Sequence, residues 1–466
     1  LLFGESEVRF RPAVQALRFF LSQSGLERNI AFGSYRFGAG PRLYSMHVFV
    51  CSEGARRMKI PPKSVRFLIT PARRKAGSEF QCALRTLLAV FALLAFAMTA
   101  LARERGPRVE VTCTSPPIPV RIDKQQVLVY ELHITNFDVV PLTLKHLEVF
   151  ADEATIGPIA SLDENALAAA MIRVGSGMMP SGDHGSPADV ARLIEPGVRS
   201  VIYMWVALPT SGTVPASLRH RMIFSAAATG GGNPADAILE DFQVPISHDA
   251  MLTLRPPFLG GLWLAGDGPA NNTNHRRAIT AVDGHIYSPE RFAIDWIKVG
   301  PNGDSRHDGA AHNDNWWGWG EPVLAVGDGE ISEVVDGIPD NVPRVLPAVT
   351  LDNIGGNHVI LKIASNRYVT YAHLQNGSIK VHIHDRVRAG DVLALLGNSG
   401  NTTGAHLHMQ VTDRSSVLQA EGVPFVFERF TYLGPGADYE LDKHVTVPWT
   451  QSIPPGDGVV ELEGNR

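Results

Sequence analysis

Residues 397–411 read GNSGNTTGAHLHMQV, and two of them, His406 and His408, are separated by a single residue. In a strand, side chains at i and i+2 project from the same face. The Gly/Asn/Thr run before them is turn material that can deliver both imidazoles side by side. So placed, they suit one metal ligand and one proton-transfer group, or two ligands. A polar strand end with two solvated histidines fits the same residues, so other groups must decide. Three do stand out: Asp295 in RFAIDW, His275 in NTNHRR, and His373 in TYAHLQ. Asp295 has apolar and aromatic neighbours, and a buried carboxylate is costly unless it is paired or bound to a metal. Arg291, four residues earlier, is the alternative partner. Catalytic zinc takes three His or carboxylate ligands and leaves a position for water. The metal acidifies that water and polarises a carbonyl, while a neutral His can carry the proton to a leaving amine.

These groups need a scaffold, and the surrounding sequence reads as short strands between Gly, Asn and Pro turns. GEPVLAVGDGEI, NHVILKI, YVTYAHL, GSIKVHI and DVLALLGN precede the H-x-H. Many short strands at this spacing indicate an antiparallel sheet, sandwich or barrel. PPF (256–258) marks the start of this region, expected to span 256–453, with 454–466 as a mobile tail. Upstream, VEVTC, QVLVYELHITN, LTLKHLEVF, SVIYMWVAL and LRHRMIFSA read as strands of a separate domain over 103–253, with a short helix in ENALAAAMIRV. Their spacing suits an immunoglobulin-like β-sandwich. Its histidines, His133, His146, His184, His220 and His248, are scattered and read as packed or surface residues.

The 466 residues carry a formal charge of −5, unevenly spread. Residues 1–102 hold 15 Lys/Arg against 5 Asp/Glu, which leaves net −15 for the remainder. So acidic a body argues against nucleic acid as the partner. Residues 1–57 show no periodicity and read as an upstream extension without a folded role. From Met58 a long basic stretch leads to the apolar run TLLAVFALLAFAMT and then Ala100-Leu101-Ala102. That is the pattern of a secretory signal peptide over 58–102, and the run is short for a membrane span. Export to the periplasm or the exterior is the expectation, with a membrane link only through an uncleaved signal segment. Of Cys51, Cys82 and Cys113, only Cys113 lies beyond the signal, so no internal disulfide is expected.

HLQNGSIKV…GDVLALLGNSGNTTGAHLHMQV, preceded by GEPVLAVGDGEI and NHVILKI, resembles the lysostaphin-type (LytM-like) zinc endopeptidases. The resemblance covers about residues 255–415. It implies a β-sheet peptidase domain, the duplicated hybrid motif, and a mainly β chain in all. It implies one Zn2+ per chain with His408 and Asp295 as ligands, and His373 and His406 in catalysis. It also implies endopeptidase action on peptide cross-bridges of peptidoglycan. One departure concerns the usual first motif, H-x-x-x-D. Arg291 stands where its His belongs, and the chain contains no H-x-x-x-D. The sequence resembles a variant branch that takes this ligand from an upstream N-H loop, which makes His275 the third ligand and leaves His285 and His307 as rivals. The competing expectations are a catalytically silent module that binds wall material or activates another hydrolase, and a structural metal with function carried by the front domain. Trp316, Trp317 and Trp319 fit either a groove floor or packing, while Asn398 and Asn401 read as loop-shaping residues and Asn357 as structural.

Overall fold

The computed structural model divides the chain into two compact units, Leu1–Arg103 and Glu104–Arg466. Besides the backbone strands Ile30–Gly38 and Leu43–Cys51, it describes residues 106–462 other than 152–156, 175–187, 210–212, 227–234, 301–302, 308, 310 and 437–446. The expected signal segment 58–102 and His184 lie outside the described residues. Within 1–57, expected to lack a folded role, the two strands pair antiparallel, Ile30 opposite Cys51 and Gly38 opposite Leu43. Their aromatic and β-branched content favours that state. Among the described residues, no helix is long and apolar enough to cross a membrane.

The second unit opens with two five-stranded sheets. In one, Gln125–Asn136 runs between Val109–Thr112 and Arg199–Ala207, with Met171–Arg173 beyond and Val120–Ile122 alongside. The other orders Ala235–Pro245, Ser217–Ala226, Leu142–Phe150 and Ala160–Leu162, with Leu193–Ile194 on Leu142–Phe150. One apolar core lies between them, formed by Leu128, Tyr130, Leu132 and Ile134 from the first sheet and Leu144, Leu147, Met222 and Phe224 from the second. Strand alternation turns the odd-numbered residues of Gln125–Asn136 the other way. Val127 and Val129 on that face belong to the core of the following domain, and Glu131 and His133 beside them are also buried. This strand is therefore a wall common to both domains, which explains why it is apolar on both faces rather than on one.

The following domain is built on an eleven-stranded sheet. Its path runs Leu252–Leu254, Phe425–Pro435, Gly458–Leu462, Gly261–Gly266, Ile294–Lys298, Leu407–Thr412, Arg367–Leu374, Asn357–Ala364, Gly329–Val335 and Arg386–Val387, with Val447–Ser452 paired to Phe425–Pro435. Two expectations are corrected here. Residues 454–466 include the buried strand Gly458–Leu462, which pairs with Gly261–Gly266 and Phe425–Pro435; Val459, Val460 and Leu462 supply the apolar surface that fixes it. GSIKVHI forms no strand, because its backbone bonding to Val392–Leu395 is limited to Lys380 N–H donating to Leu393 O, while Val392–Leu395 pairs with Pro322–Leu324. The central core holds Trp263 stacked on Phe258 at 3.5 Å, with Trp296 edge-on to Phe258 and Phe427. Ile294, Trp296, Leu407 and Met409 all point into it, so alternation places Asp295 and His408 on the opposite face.

Candidate metal centre

Asp295 and His408 are direct cross-strand partners, and Ala372 lies opposite His408 on its other side. His408 Nδ1 is 3.0 Å from Asp295 Oδ1. His275 arrives from the single helical turn Asn274–Arg277, which Thr273 caps by accepting from Arg276 N–H. Its Nε2 lies 3.4 Å from the same Asp295 oxygen. One ligand atom from each of His275, Asp295 and His408 falls within 4.8 Å of the others. A tetrahedral zinc with bonds of about 2.0–2.1 Å sets its ligand atoms about 3.3 Å apart, so this two-imidazole, one-carboxylate set fits such an ion with small adjustment.

The two remaining histidines flank the group. His406 Nε2 is 3.4 Å from Asp295 Oδ1, and the His373 ring centre is 4.9 Å from that of His406 and 5.8 Å from that of His408. The structure thus brings all five predicted residues together. His285 lies beside Tyr287 and His307 beside Trp317, and neither belongs to the three-residue group. Arg291 does not pair with Asp295: its guanidinium donates to Glu131 and Glu421.

In each of the four histidines, one ring nitrogen is engaged outside the cluster. His275 Nδ1 bonds to Asp267 O at 3.0 Å. His373 Nδ1 bonds to Ser399 O at 2.8 Å. His406 Nδ1 lies 2.9 Å from Gly404 O and 3.1 Å from Thr402 Oγ1. His408 uses the opposite edge, with Nε2 held by Gln410 Oε1 at 3.0 Å. A carbonyl accepts only from N–H, so in the neutral imidazole these contacts leave the unprotonated nitrogen facing inward, and a second proton taken up there makes that nitrogen an N–H donor. Sequence reasoning missed this outer layer. Gln410 was findable, since it sits two residues after His408 on the same strand face. Backbone carbonyls carry no sequence signal.

Electrostatics distinguishes the members. Burial pushes the Asp295 carboxyl up, but His275, His406 and His408 outweigh it and hold the group well below the usual carboxylate range. Burial would lower His408, yet its bond to Asp295 raises it to about 9. His406 is raised by the same carboxylate against the same burial penalty. His373 goes the other way: burial, then repulsion from His406 and His408, keeps it neutral well below the usual imidazole range. It also sits at φ 61°, a left-handed backbone conformation uncommon for a residue with a Cβ. Its backbone N–H donates to Gly355 O, and the loop around Ser399 holds the ring.

That loop is closely stitched. Asn341 Nδ2 donates to Gly400 O and Thr402 O, Asn398 Nδ2 to Asn313 Oδ1, and Ser399 Oγ to Leu374 O. Asn398 thus ties loop to loop, and Asn357, at a strand start, accepts from Ile338 N–H and donates to Ile338 O and Leu374 O. Trp316 and Trp319 pack on the core, Trp316 against Gly404, which favours packing over a groove floor. Gly400 has φ +79°, and a Cβ there would lie 2.3 Å from Gly356 N. Gly400→Ala is therefore expected to cost about 2 kcal/mol or more, read as a lower urea midpoint, and to slow any reaction by displacing Ser399 from His373.

Residues 317–420 match peptidase family M23. Over 85 residues the chain is 33% identical to Endolysin 2638A of Staphylococcus phage 2638A, covering 16% of this chain and 17% of that protein. Over 92 residues it is 33% identical to peptidoglycan DD-endopeptidase ShyC of Vibrio cholerae, covering 20% and 17%. The chain thus spans about a sixth of the length of these relatives. Among solved structures it is similar to the catalytic domain of the M23 protein EnpA from Enterococcus faecalis, with 19% identity, TM-score 0.22, and 36% of this chain and 93% of that one covered. The match begins downstream of Asp295, so His275 and Asp295 come from chain that precedes it, where the first motif departs from the usual pattern. His373, His406 and His408 lie inside the matched segment, residues 317–420, which is similar to peptidase family M23.

Proposed function

We propose that this chain is an exported zinc metalloendopeptidase that cleaves peptide cross-links in peptidoglycan. The observation that carries the reading is the convergence of His275 Nε2, Asp295 Oδ1 and His408 Nδ1, with His373 and His406 beside them. His275, Asp295 and His408 would hold one Zn2+. Bound zinc supplies Lewis acidity, polarising a carbonyl and acidifying water to near neutrality. His373, kept neutral by burial and its neighbours, offers Nε2 to take a proton from water and return it to the leaving amine. His406, held protonated more readily by Asp295, offers N–H to the developing oxyanion. An endolysin and a DD-endopeptidase among the relatives support a cell-wall peptide as substrate. The basic segment and apolar run before Ala100-Leu101-Ala102 support export.

The test is incubation of the zinc-loaded chain with purified peptidoglycan, with new amino termini counted and released fragments weighed by mass spectrometry. Cleavage that a chelator abolishes and added zinc restores is the expected result. Intact cross-links after prolonged incubation with the zinc-loaded protein would reject the peptidase and favour a binding module.

A further inference from the structure

We infer that Glu131, in the front domain, is a positioning residue for the metal centre, acting through Arg276 and Arg291. The inference rests on the reading of His275, Asp295 and His408 as metal ligands. Glu131 lies on the face of Gln125–Asn136 that looks toward the following domain, and it is 1% exposed. Two arginines from that domain converge on it. Arg276 Nη1 donates to Glu131 Oε1, and Arg276 Nη2 to Tyr130 O at 2.8 Å. Arg291 Nε reaches both Glu131 oxygens at 2.9 and 3.0 Å, and Nη2 reaches Oε2 at 2.6 Å. Arg291 also donates to Glu421 Oε2. The set holds two positive and two negative charges, so it closes without net charge in a place where an unpaired ion would be very costly.

What matters is which residues the arginines are. Arg276 follows His275 directly, in a one-turn helix too short to hold its own orientation. Arg291 stands four residues before Asp295, the position that the usual first motif gives to a ligand. Here its side chain leaves the metal face and anchors the approach to the Asp295 strand on the same carboxylate that anchors His275. Glu131 thus sets the separation of two ligands that come from different elements, the helical turn Asn274–Arg277 and the strand Ile294–Lys298. The segment carrying His275 has further ties to the front domain. Asn271 Nδ2 donates to Tyr203 O at 2.9 Å, Tyr203 Oη to Arg277 O at 3.1 Å, and Arg277 Nη2 to Ala169 O. Arg276 also packs its guanidinium 4.8 Å above the Tyr203 ring. Within its own domain, the His275 side chain bonds outside the cluster to Asp267 O, and its backbone carbonyl accepts from Ala278 N–H. The front domain therefore completes the centre from behind rather than standing apart from it.

The test measures zinc affinity at 20 °C by competition with a chromophoric chelator, and the visible spectrum of the cobalt-substituted protein, on the full chain. The variants are Glu131→Gln, Asn271→Ala and the control Glu148→Gln, which lies on the far sheet beside Arg221. Circular dichroism confirms folding of each at that temperature. A weakening of about 10- to 100-fold for Glu131→Gln, a smaller loss for Asn271→Ala, a changed cobalt spectrum in both and no change in the control would support the inference. Should Glu131→Gln not fold, Asn271→Ala decides alone, since it leaves the charge set intact. A folded variant that melts at lower temperature but binds zinc within about twofold of the parent, with an unchanged cobalt spectrum, would overturn it and leave the metal reading standing. Failure of the parent itself to bind zinc would overturn both.

Discussion

His408→Ala is expected to reduce zinc from about one ion per chain to none and to lower peptide cleavage by at least about 10³-fold, since Lewis-acid stabilisation is worth several kcal/mol and each 1.36 kcal/mol is tenfold. Its Nδ1 faces Asp295 Oδ1 at 3.0 Å and its Nε2 is held by Gln410, so the side chain is fixed at both edges. Asp295 keeps His275 and His406 as partners in the variant, which protects the fold while the metal is lost. Two companions give the result its meaning. His373→Ala should retain zinc and lose about 10²- to 10⁴-fold in turnover, the range for a general acid–base group. Gln410→Ala should weaken zinc about 10- to 100-fold with turnover at saturating zinc little changed, as an outer-layer residue does. Elemental analysis together with kinetics separates the three patterns. Zinc retained in full by His408→Ala would remove it from the ligand set.

Mild acid is expected to unfold the front domain before it protonates most carboxylates. His133 and His220 are both buried, and burial lowers each imidazole from 6.5 to about 4. A group whose pKa is depressed on folding contributes stability above its unfolded pKa and loses it as pH falls toward the folded value. Here the window is pH 6.5 down to 4, and each histidine accounts for on the order of 3 kcal/mol across it. Against a typical total of about 5–15 kcal/mol, the two together can empty the native state near pH 4. Glu131 adds to this only lower down. Burial opposes its ionisation, but Arg291 and Arg276 hold it at about 2, so its share is lost between pH 4.5 and 2. His133 is the sharper probe because, among the described residues, neither ring nitrogen has a hydrogen-bond partner, whereas His220 bonds to Tyr130 Oη and Phe242 O. His133→Leu should raise stability at pH 7 by about 1–2 kcal/mol and flatten roughly half of the acid slope. Urea midpoints at pH 7, 5.5 and 4.5 read both effects. Equal midpoints across that range would show the imidazoles to be hydrated in solution.

The grouping of the five residues was legible in the sequence wherever a local spacing encodes a shared direction. H-x-H on a strand, an Asp between apolar neighbours and a His at a strand end each follow from period-2 geometry, and the structure brings His275, Asp295, His373, His406 and His408 together. The mainly β architecture followed from the same alternation. What escaped was non-local or backbone-borne. Glu131 is 145 residues from Arg276 and 160 from Arg291, and although Val127 and Val129 make the second face of QVLVYELHITN partly apolar, no local spacing names the arginines that meet it. The strand Gly458–Leu462 was hidden behind PPGDG, which reads as punctuation, although its partners lie in the middle of the sheet. GSIKVHI shows the reverse error: alternation was present, but its backbone bonding to Val392–Leu395 stops at Lys380 N–H to Leu393 O and never becomes a ladder.

The pairing of Asp295 with His408 joins strands 113 residues apart, and that separation sets an order of events. Closing so long a loop is entropically late, so neither ligand meets the other until most of the sheet has formed. Any metal bound by this group would then follow folding instead of guiding it, the opposite of small zinc modules that collapse around their ion. An unfolded chain would hold His275, Asp295 and His408 scattered along an open polymer. Topology by itself would keep the chain inert until it has reached its final shape.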